Sequence, residues 1–379
     1  MTLQAQEPPG PTDERPTIAI DARYASGPTC GIERYTMNLL PGLAELEETP
    51  PVLIIRHPGQ DLPEAVIAAK TFSMVDEPSS RLSPWSQWKL ARRLKKRGID
   101  VMVSADVYAP LVTRPRQVIT LHDVTPIRCR DRLKSSLKAR FWWLWGLWLF
   151  VQTRGAWKVL TVSQWAARDI ADCLHLKAGK LAVVPNSVMP GQAARNRKPG
   201  SARLLYVGRM DGNKNVESCV AVLGRLVAQG YDATLTIVGK TDARYPQASE
   251  AIDALGLRER VTITGHVSEE QLRHCYAEAD VFLFLSVYEG FGLPPLEAMA
   301  HGLPVVASNR TAMTEVLGDA AFLVDPDDLD SAAEAVARIL DDPAMADRLA
   351  KAGLERARAF SPARQARALL AAVGSSAED

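Results

Sequence analysis

Along the chain, short runs of β-branched and apolar residues alternate with stretches in which apolar side chains recur every three or four positions. The runs predict strands over Thr17–Asp21, Val52–Ile55, Val101–Ser104, Val118–Leu121, Lys158–Val162 and Leu181–Val184 in the first half. In the second half they predict strands over Arg203–Val207, Thr234–Val238, Val261–Ile263, Val281–Leu285, Pro304–Ala307 and Ala321–Val324. Between the first two strands, Ile32, Tyr35, Leu39, Leu40, Leu43 and Leu46 share one helical face. Strands alternating with helices predict parallel sheets built from βαβ units. The stretch NSVMPGQAARNRKPGSA, Asn186–Ala202, has no apolar period and is rich in Pro, Gly and Ser, so the chain breaks there. The predicted architecture is α/β, with two doubly wound domains facing across a cleft. The domains are residues 16–190 and 203–358, joined by a linker, 191–202. A polar tail, 1–15, precedes them, and a helix, 359–379, follows with room to pack back on the first domain. The Ala/Arg-rich helical run starts at about Asp347, and Pro362 is expected to break or kink it. Ligands of such sheets sit beyond the carboxyl ends of the strands.

A length of 379 residues suits two domains. With 47% hydrophobic and 23% charged residues, the chain is not disordered, collagen-like or a disulfide scaffold. Cys30, Cys129, Cys173, Cys219 and Cys275 are scattered without CxxC spacing, which argues against a zinc centre and for reduced thiols in a cytosolic compartment. The opening MTLQAQEPPGPTDERP has no apolar core of a signal peptide. The net charge of +1 conceals an asymmetry. Residues 1–186 hold 25 Lys+Arg and 18 Asp+Glu, a balance of +7, against −6 for the remainder. One half therefore suits an anionic surface.

Four stretches carry candidate chemistry. In SVYEGFGLPPLEAMAH, Ser286–His301, the acids Glu289 and Glu297 flank a Gly-Phe-Gly-Leu-Pro-Pro segment after the apolar run VFLFL. Gly290 and Gly292 let backbone approach a ligand, and Pro294 and Pro295 suit a first helical turn. The plain alternative is a capped helix with a solvated acid. In YVGRMDGNKN, Arg209 and Lys214 lie on a glycine-bearing loop ahead of a helix, an arrangement that fits a diphosphate or a solvated loop. There is no GxGxxG and no Walker loop. In DARYASGPTCGIERY, a strand ending at Asp21 leads through Gly27 and Gly31 into a helix, the form of an anion-binding turn. In TLHDVTP, His122 follows a strand end, where it could bind a sugar hydroxyl, act in catalysis or simply satisfy a backbone group.

Together these stretches resemble the retaining glycosyltransferases of family 4, which have the GT-B fold of two Rossmann-like domains. The resemblance runs from Asp21 to about Phe360 and is most specific in the Glu-x7-Glu segment EGFGLPPLE. CGIERY, LHD, TVSQWAARDI, VPNSV, GRMDGNKN and IVGK support it in order. It implies that Gly31 brings its backbone to the donor phosphate and that Arg209 and Lys214 neutralise the diphosphate. It implies that Glu289 and His122 contact the transferred sugar and that Glu297 holds the ribose hydroxyls. Phe291, Gly292 and Leu293 would aim backbone N–H groups at sugar and phosphate, and Asn186 keeps one position of its motif. Cys30-Gly31 replaces the common Gly-Gly, and Ser187 and Met189 replace a Gly and an Asp in VPNSV. No metal or other cofactor is expected, because fixed cations would stabilise the leaving diphosphate. Asp325-Pro326-Asp327 spells a DxD but falls in an acidic turn. Similarity of EGFGLPPLE and GIERYT to mannosyltransferases implies GDP-mannose as donor.

Two segments suggest a partner surface. SPWSQWKLARRLKKR, Ser83–Arg97, has six basic residues and no acid, and Arg128–Arg140 has six basic residues ahead of FWWLWGLWLFV. Eleven apolar residues are too few to span a bilayer, which takes ~20. Basic residues beside Trp-rich surface suit a helix lying on an anionic membrane, the alternative being a core helix. The expected partners are a nucleotide-sugar, a lipid-linked or saccharide acceptor and the cytoplasmic face of a membrane. Nucleic acid is not expected, since the tryptophans form one block and do not interleave with cations. A glucan phosphorylase or synthase and a non-catalytic nucleotide-binding protein are the competing readings.

Overall fold

The computed structural model describes residues 16–26, 31–80, 83–109, 115–133, 135–191 and 200–374. The tail 1–15, the loop residues 27–30, Cys30 among them, and most of the linker, 192–199, lie outside the described residues, as do the readings made for them.

The first sheet holds β1 (Ile18–Asp21), β2 (Val52–Arg56), β3 (Phe72–Asp76), β4 (Val101–Ser104), β5 (Arg116–Thr120), β6 (Lys158–Thr161) and β7 (Leu181–Val183). Its order is β3-β2-β1-β4-β5-β6-β7, all parallel. The helices of this domain are α1 (Gly31–Ala44), α2 (Glu64–Ala68), α3 (Pro84–Lys96), α4 (Thr125–Arg128), α5 (Leu137–Arg140), α6 (Trp142–Gly155) and α7 (Gln164–Leu174). The second sheet holds β8 (Ala202–Val207), β9 (Ala233–Val238), β10 (Val261–Gly265), β11 (Val281–Phe284), β12 (Val305–Ser308) and β13 (Phe322–Val324), in the order β10-β9-β8-β11-β12-β13. Around it lie α8 (Val216–Ala228), α9 (Gln247–Ala254), α10 (Glu269–Glu278), α11 (Leu293–Ala300), α12 (Met313–Leu317), α13 (Leu329–Asp341), α14 (Pro343–Arg358) and α15 (Pro362–Gly374). The twelve strands expected from the sequence are present, with ends displaced by up to two residues. The thirteenth, β3, is an edge strand whose half-exposed FSMVD carries too short an apolar signal to announce itself.

Both sheets are doubly wound, and each reverses its strand order once, between β1 and β4 and between β8 and β11. The loops leaving those four strands are therefore where such sheets open a crevice for a ligand. Three of them, those leaving β1, β8 and β11, carry the sequence motifs that begin at Asp21, Tyr206 and Ser286. The central strands are buried on both faces, as β11 (VFLF) and β4 (VMVS) illustrate, which explains their uninterrupted apolar runs.

The chain crosses between domains twice. The predicted break at Asn186 begins too early, since Asn186, Ser187 and Val188 are buried. Val188 N–H donates to the Phe360 carbonyl at 2.9 Å, and Ser187 Oγ donates to Gln365 Oε1 at 2.6 Å. A polar, unperiodic segment looks like a linker in sequence even where neighbours pin it. The run that begins near Asp347 is broken at Pro362 as expected: α14 ends at Arg358, and Pro362 opens α15, the position where a missing N–H costs nothing. α15 then packs along α1. A Cβ on Gly42 would sit 3.0 Å from Ala363 N and closer still to the Pro362 carbonyl, so only glycine permits this approach.

The tryptophan block divides into a core side and an exposed side. Leu149 of α6 is fully buried against Ile119 and Val159, and Trp145 and Trp148 stack 4.8 Å apart beside Tyr108. The opposite side is exposed: Trp143 is 56% and Leu147 57% accessible, with Trp142, Leu144 and Phe150 around them. On α3, Leu90 and Leu94 are buried while Trp85 and Trp88 stack outside at 4.9 Å, under Lys89 and Arg92. Arg93 is not part of a free basic face, because it pairs with buried Glu77. Among the described residues, no helix is long and apolar enough to cross a membrane.

Candidate active site

The cleft is built around the loop between β11 and α11. β11 ends in the sheet interior, and the chain turns sharply through Gly290 and Gly292. Gly292 has φ +93°, and a Cβ there would run into the Met313 side chain. Gly290 lies against the first domain: a Cβ would sit 2.9 Å from Asp123 Cβ and closer to the His122 carbonyl oxygen. Ser163 Oγ, at the start of α7, donates to the Gly290 carbonyl at 2.7 Å. The glycine pair thus serves two approaches, to α12 and to the opposite domain.

The second motif loop is stitched to the first. Asn213 Nδ2 donates to the Tyr288 carbonyl at 3.1 Å, while Val287 N–H and Ser286 Oγ donate to the Asn213 carbonyl at 2.9 Å each. Asn215, left-handed at φ 53°, caps the carboxyl end of β11 by donating to the Leu285 carbonyl at 3.1 Å. These bonds bring Lys214 to Glu289, with Nζ 2.6 Å from Oε1. Glu289 is 8% exposed, so its partner is a fixed cation and not solvent. Its N–H donates to Oγ1 of Thr311 at 3.1 Å, and Thr311 is itself held at φ 59°. Arg209, by contrast, is 79% exposed and leans on Asp211.

Glu297 sits one turn into α11, its side chain 12% exposed and held between a tyrosine and an arginine. Tyr276 Oη donates to its Oε2 at 3.2 Å, and Arg34 Nη1 lies 2.9 Å from its Oε1. Burial raises the Glu297 pKa, with Arg34 and Tyr276 opposing. Pro294 and Pro295 have no N–H, so the donors at this end of α11 come from Phe291, Gly292 and Leu293. The Phe291 ring itself is buried edge-on to Phe360 at 5.5 Å and belongs to the domain junction, leaving only its backbone for a ligand.

On the opposite wall, His122 Nε2 lies 2.9 Å from the Ala105 carbonyl and its ring meets Tyr35 edge-on at 5.2 Å. The backbone-satisfying role considered for it is thus present, and it fixes the ring while leaving Nδ1 for other partners. Gly31 begins α1 with nothing within 4 Å of where a Cβ would stand. Asn186 is buried beside the crossing, away from the acid pair's own bonds, and its Oδ1 has no hydrogen-bond partner among the described residues.

The structure therefore brings Lys214, Glu289, Gly290 and His122 to one point of the cleft, and Glu297 with the 291–293 backbone to the turn beside it. It adds residues that were not singled out from sequence. Arg34 lies in the quoted GIERY, three positions after Gly31. Asp169, within TVSQWAARDI, accepts from Tyr288 Oη at 2.5 Å and from Arg128 Nε at 2.7 Å. Glu315 crosses the cleft to cap α7, accepting from Gln164 N–H and Trp165 N–H at 2.8 Å each. Only the pairing of distant motifs could have revealed these. Asp325 and Asp327 are both held by Arg310 Nη2, at 2.8 and 2.7 Å.

Two doubly wound domains with their switch points facing across such a cleft define the GT-B class. A solved structure of the same class, sucrose-phosphate synthase from Thermosynechococcus elongatus, superposes with a TM-score of 0.72 at 22% identity, covering 94% of this chain and 97% of that one. The model for Glycosyltransferase Family 4 matches residues 29–191 and that for Glycosyl transferases group 1 matches residues 192–356, and the chain belongs to this family of glycosyltransferases. Among its relatives, O-antigen chain mannosyltransferase RfbU of Salmonella typhimurium is 28% identical over 317 residues, 82% of this chain and 87% of the relative. The MMP alpha-(1->4)-mannosyltransferase of Mycolicibacterium hassiacum is 33% identical over 272 residues, 69% of this chain and 64% of the relative.

Proposed function

We propose that this glycosyltransferase is a retaining, metal-independent mannosyltransferase that moves mannose from GDP-mannose to a lipid-linked or polysaccharide acceptor in cell-surface glycan assembly. The observation that carries the reading is the Lys214–Glu289 pair at 2.6 Å, facing His122 across the Gly290 contact. A diphosphate entering the cleft offers Lys214 a more highly charged partner than a carboxylate. Arg209, solvent-exposed and ion-paired to Asp211 among the described residues, could swing to the same group. Both cations would then gain most as negative charge builds on the leaving oxygen, the condition for lowering the barrier instead of merely binding substrate. Glu289, released from Lys214, would face the sugar from the second domain and His122 from the first. Glu297 would accept from the ribose hydroxyls. The DxD carboxylates are committed to Arg310 and so contribute no metal site to this scheme.

The donor sugar is argued from the two mannosyltransferase relatives, and the lipid-linked acceptor from the exposed aromatic face of α6 with Arg130 over Trp142 and Arg154 over Phe150. Cations beside interfacial aromatics suit an anionic membrane surface. The test is a panel of GDP-, UDP- and ADP-sugars followed for slow hydrolysis without acceptor. GDP-mannose hydrolysis that disappears in Glu289→Ala supports the reading; turnover of a UDP- or ADP-sugar alone refutes the donor assignment.

A further inference from the structure

Arg34 stands out because its charge serves the second domain although its backbone belongs to the first. It rises from α1, and its guanidinium fork divides between two helices across the cleft. Nη1 lies 2.9 Å from Glu297 Oε1, and Nη2 lies 2.7 Å from Glu269 Oε1. The two carboxylates differ. Glu269 is well exposed at the start of α10, where an ion pair contributes little. Glu297 is far less exposed, and apart from Arg34 its bond comes from Tyr276 Oη at 3.2 Å. Tyr276 is itself buried and stacks on His301 at 4.8 Å, so it cannot turn toward another partner.

We propose that Arg34 is a positioning residue for the nucleoside end of the donor: it holds the Glu297 carboxylate in place for the ribose hydroxyls and ties that carboxylate to the first domain. The inference rests on the ribose role given to Glu297 above. One consequence is mechanical. Closing the domains is what delivers the cation, so a well-held ribose acceptor exists only in the closed arrangement. The other is electrostatic. Glu297 faces Arg34 with its neighbour Glu33 on α1, Glu269 and Tyr276 on α10, and, behind Tyr276, His301 at the end of its own helix. Arg34 is the one cation among these whose attraction opposes the pull of burial toward the neutral acid. The effect is mutual: burial draws the guanidinium pKa down, and Glu297 and Glu269 more than offset this. A neutral Glu297 would lose one acceptor for the paired ribose hydroxyls, so removing Arg34 should make nucleotide binding weaken as pH falls.

GDP, UDP and ADP are titrated into the intact enzyme, and the tightest binder becomes the probe. Its Kd is then measured between pH 5.5 and 8.5 for wild type, Arg34→Gln, Arg34→Lys, Glu269→Gln and Glu297→Ala. The ratio of variant to wild type at each pH cancels titration of the probe's own phosphate. Without Arg34 the pull of burial toward the neutral acid is unopposed by a cation, so the ratio of Arg34→Gln to wild-type Kd should rise steadily as pH falls from 8.5 to 5.5 and should be smallest at pH 8.5. Arg34→Lys keeps a cation and should restore the flat profile, though not the two-pronged fit. Glu269→Gln should leave the profile unchanged. A loss in Arg34→Gln that is the same at every pH, or one matched by Glu269→Gln, overturns the proposal, because bracing alone would then account for it. An unaffected Arg34→Gln beside a weakened Glu297→Ala overturns it while sparing the ribose assignment. Unchanged binding in Glu297→Ala, or no binding of any probe by wild type, removes that assignment and the inference with it.

Discussion

Gly290→Ala adds one methyl group at the tightest contact between the domains. That methyl would stand 2.9 Å from Asp123 Cβ and closer to the His122 carbonyl oxygen, whereas ordinary contacts begin at 3.4 Å. Both obstacles are backbone or backbone-adjacent, so no side chain can swing away. The loop must retreat from His122 by about 1 Å to reach normal carbon–carbon separation. Glu289 is adjacent in sequence and retreats with it, while Lys214 follows through the bonds from Asn213. A displacement of about 1 Å in reacting groups costs on the order of 10²-fold in rate, or about 2.7 kcal/mol of barrier. Binding of the nucleoside diphosphate should suffer much less, because Arg209, Lys214 and Glu297 all lie on the second domain. The assay is donor hydrolysis, with kcat and KM separated, beside a thermal melt. We expect a folded protein with kcat reduced about a hundredfold. A variant within about twofold of wild type would show that the His122–Gly290 contact does not set the reacting geometry.

Gly31→Ala should leave the melt unchanged, since nothing lies within 4 Å of the new methyl, and raise the donor KM if phosphate passes there; an unchanged KM would remove Gly31 from the site. Arg209→Ala and Lys214→Ala should each lose ~1.5–3 kcal/mol of transition-state stabilisation with the fold intact, and a double variant with unaltered kcat/KM would contradict the diphosphate assignment. The two sides of α6 should separate in a melt paired with vesicle sedimentation. Trp143→Ser with Leu147→Ser should hardly move Tm yet reduce sedimentation with anionic vesicles, whereas Leu149→Ala should cost ~2–5 kcal/mol of stability. Replacing Arg92, Lys95 and Lys96 by Gln should remove the salt-sensitive part of that binding, and an intact protein that ignores anionic vesicles at low salt would contradict the membrane reading.

The fold was readable because buried parallel strands must be apolar on both faces, and β8, β11 and β12 announce themselves on that account. Edge strand β3 does not, since one side meets solvent. The acid pair and the cationic loop were readable as motifs, but their relation was not. Lys214 and Glu289 are 75 residues apart and meet only because Asn213 and Asn215 stitch one loop to the other. Arg34 was hidden for the same reason. Within GIERY it looks like a solvated helix residue, and its partners Glu269 and Glu297 belong to the other domain. The tryptophan block could not be divided in sequence, since FWWLWGLWLFV is apolar at nearly every position and has no polar face to mark the solvent side. Pro362 was legible: a proline inside an Ala/Arg-rich run marks an interruption, and here α14 ends before it and α15 begins on it.

The central claim is that this cleft cleaves a nucleotide-sugar with retention, using fixed cations in place of a metal. The most direct measurement is proton NMR of GDP-mannose hydrolysis in EDTA, read before the released sugar mutarotates, for wild type, Lys214→Ala and Glu289→Gln. The account predicts α-mannose as the first anomer from the wild type in the chelator, and strongly reduced release in both variants. A β-anomer appearing first, or activity that EDTA abolishes and manganese or magnesium restores, would contradict it.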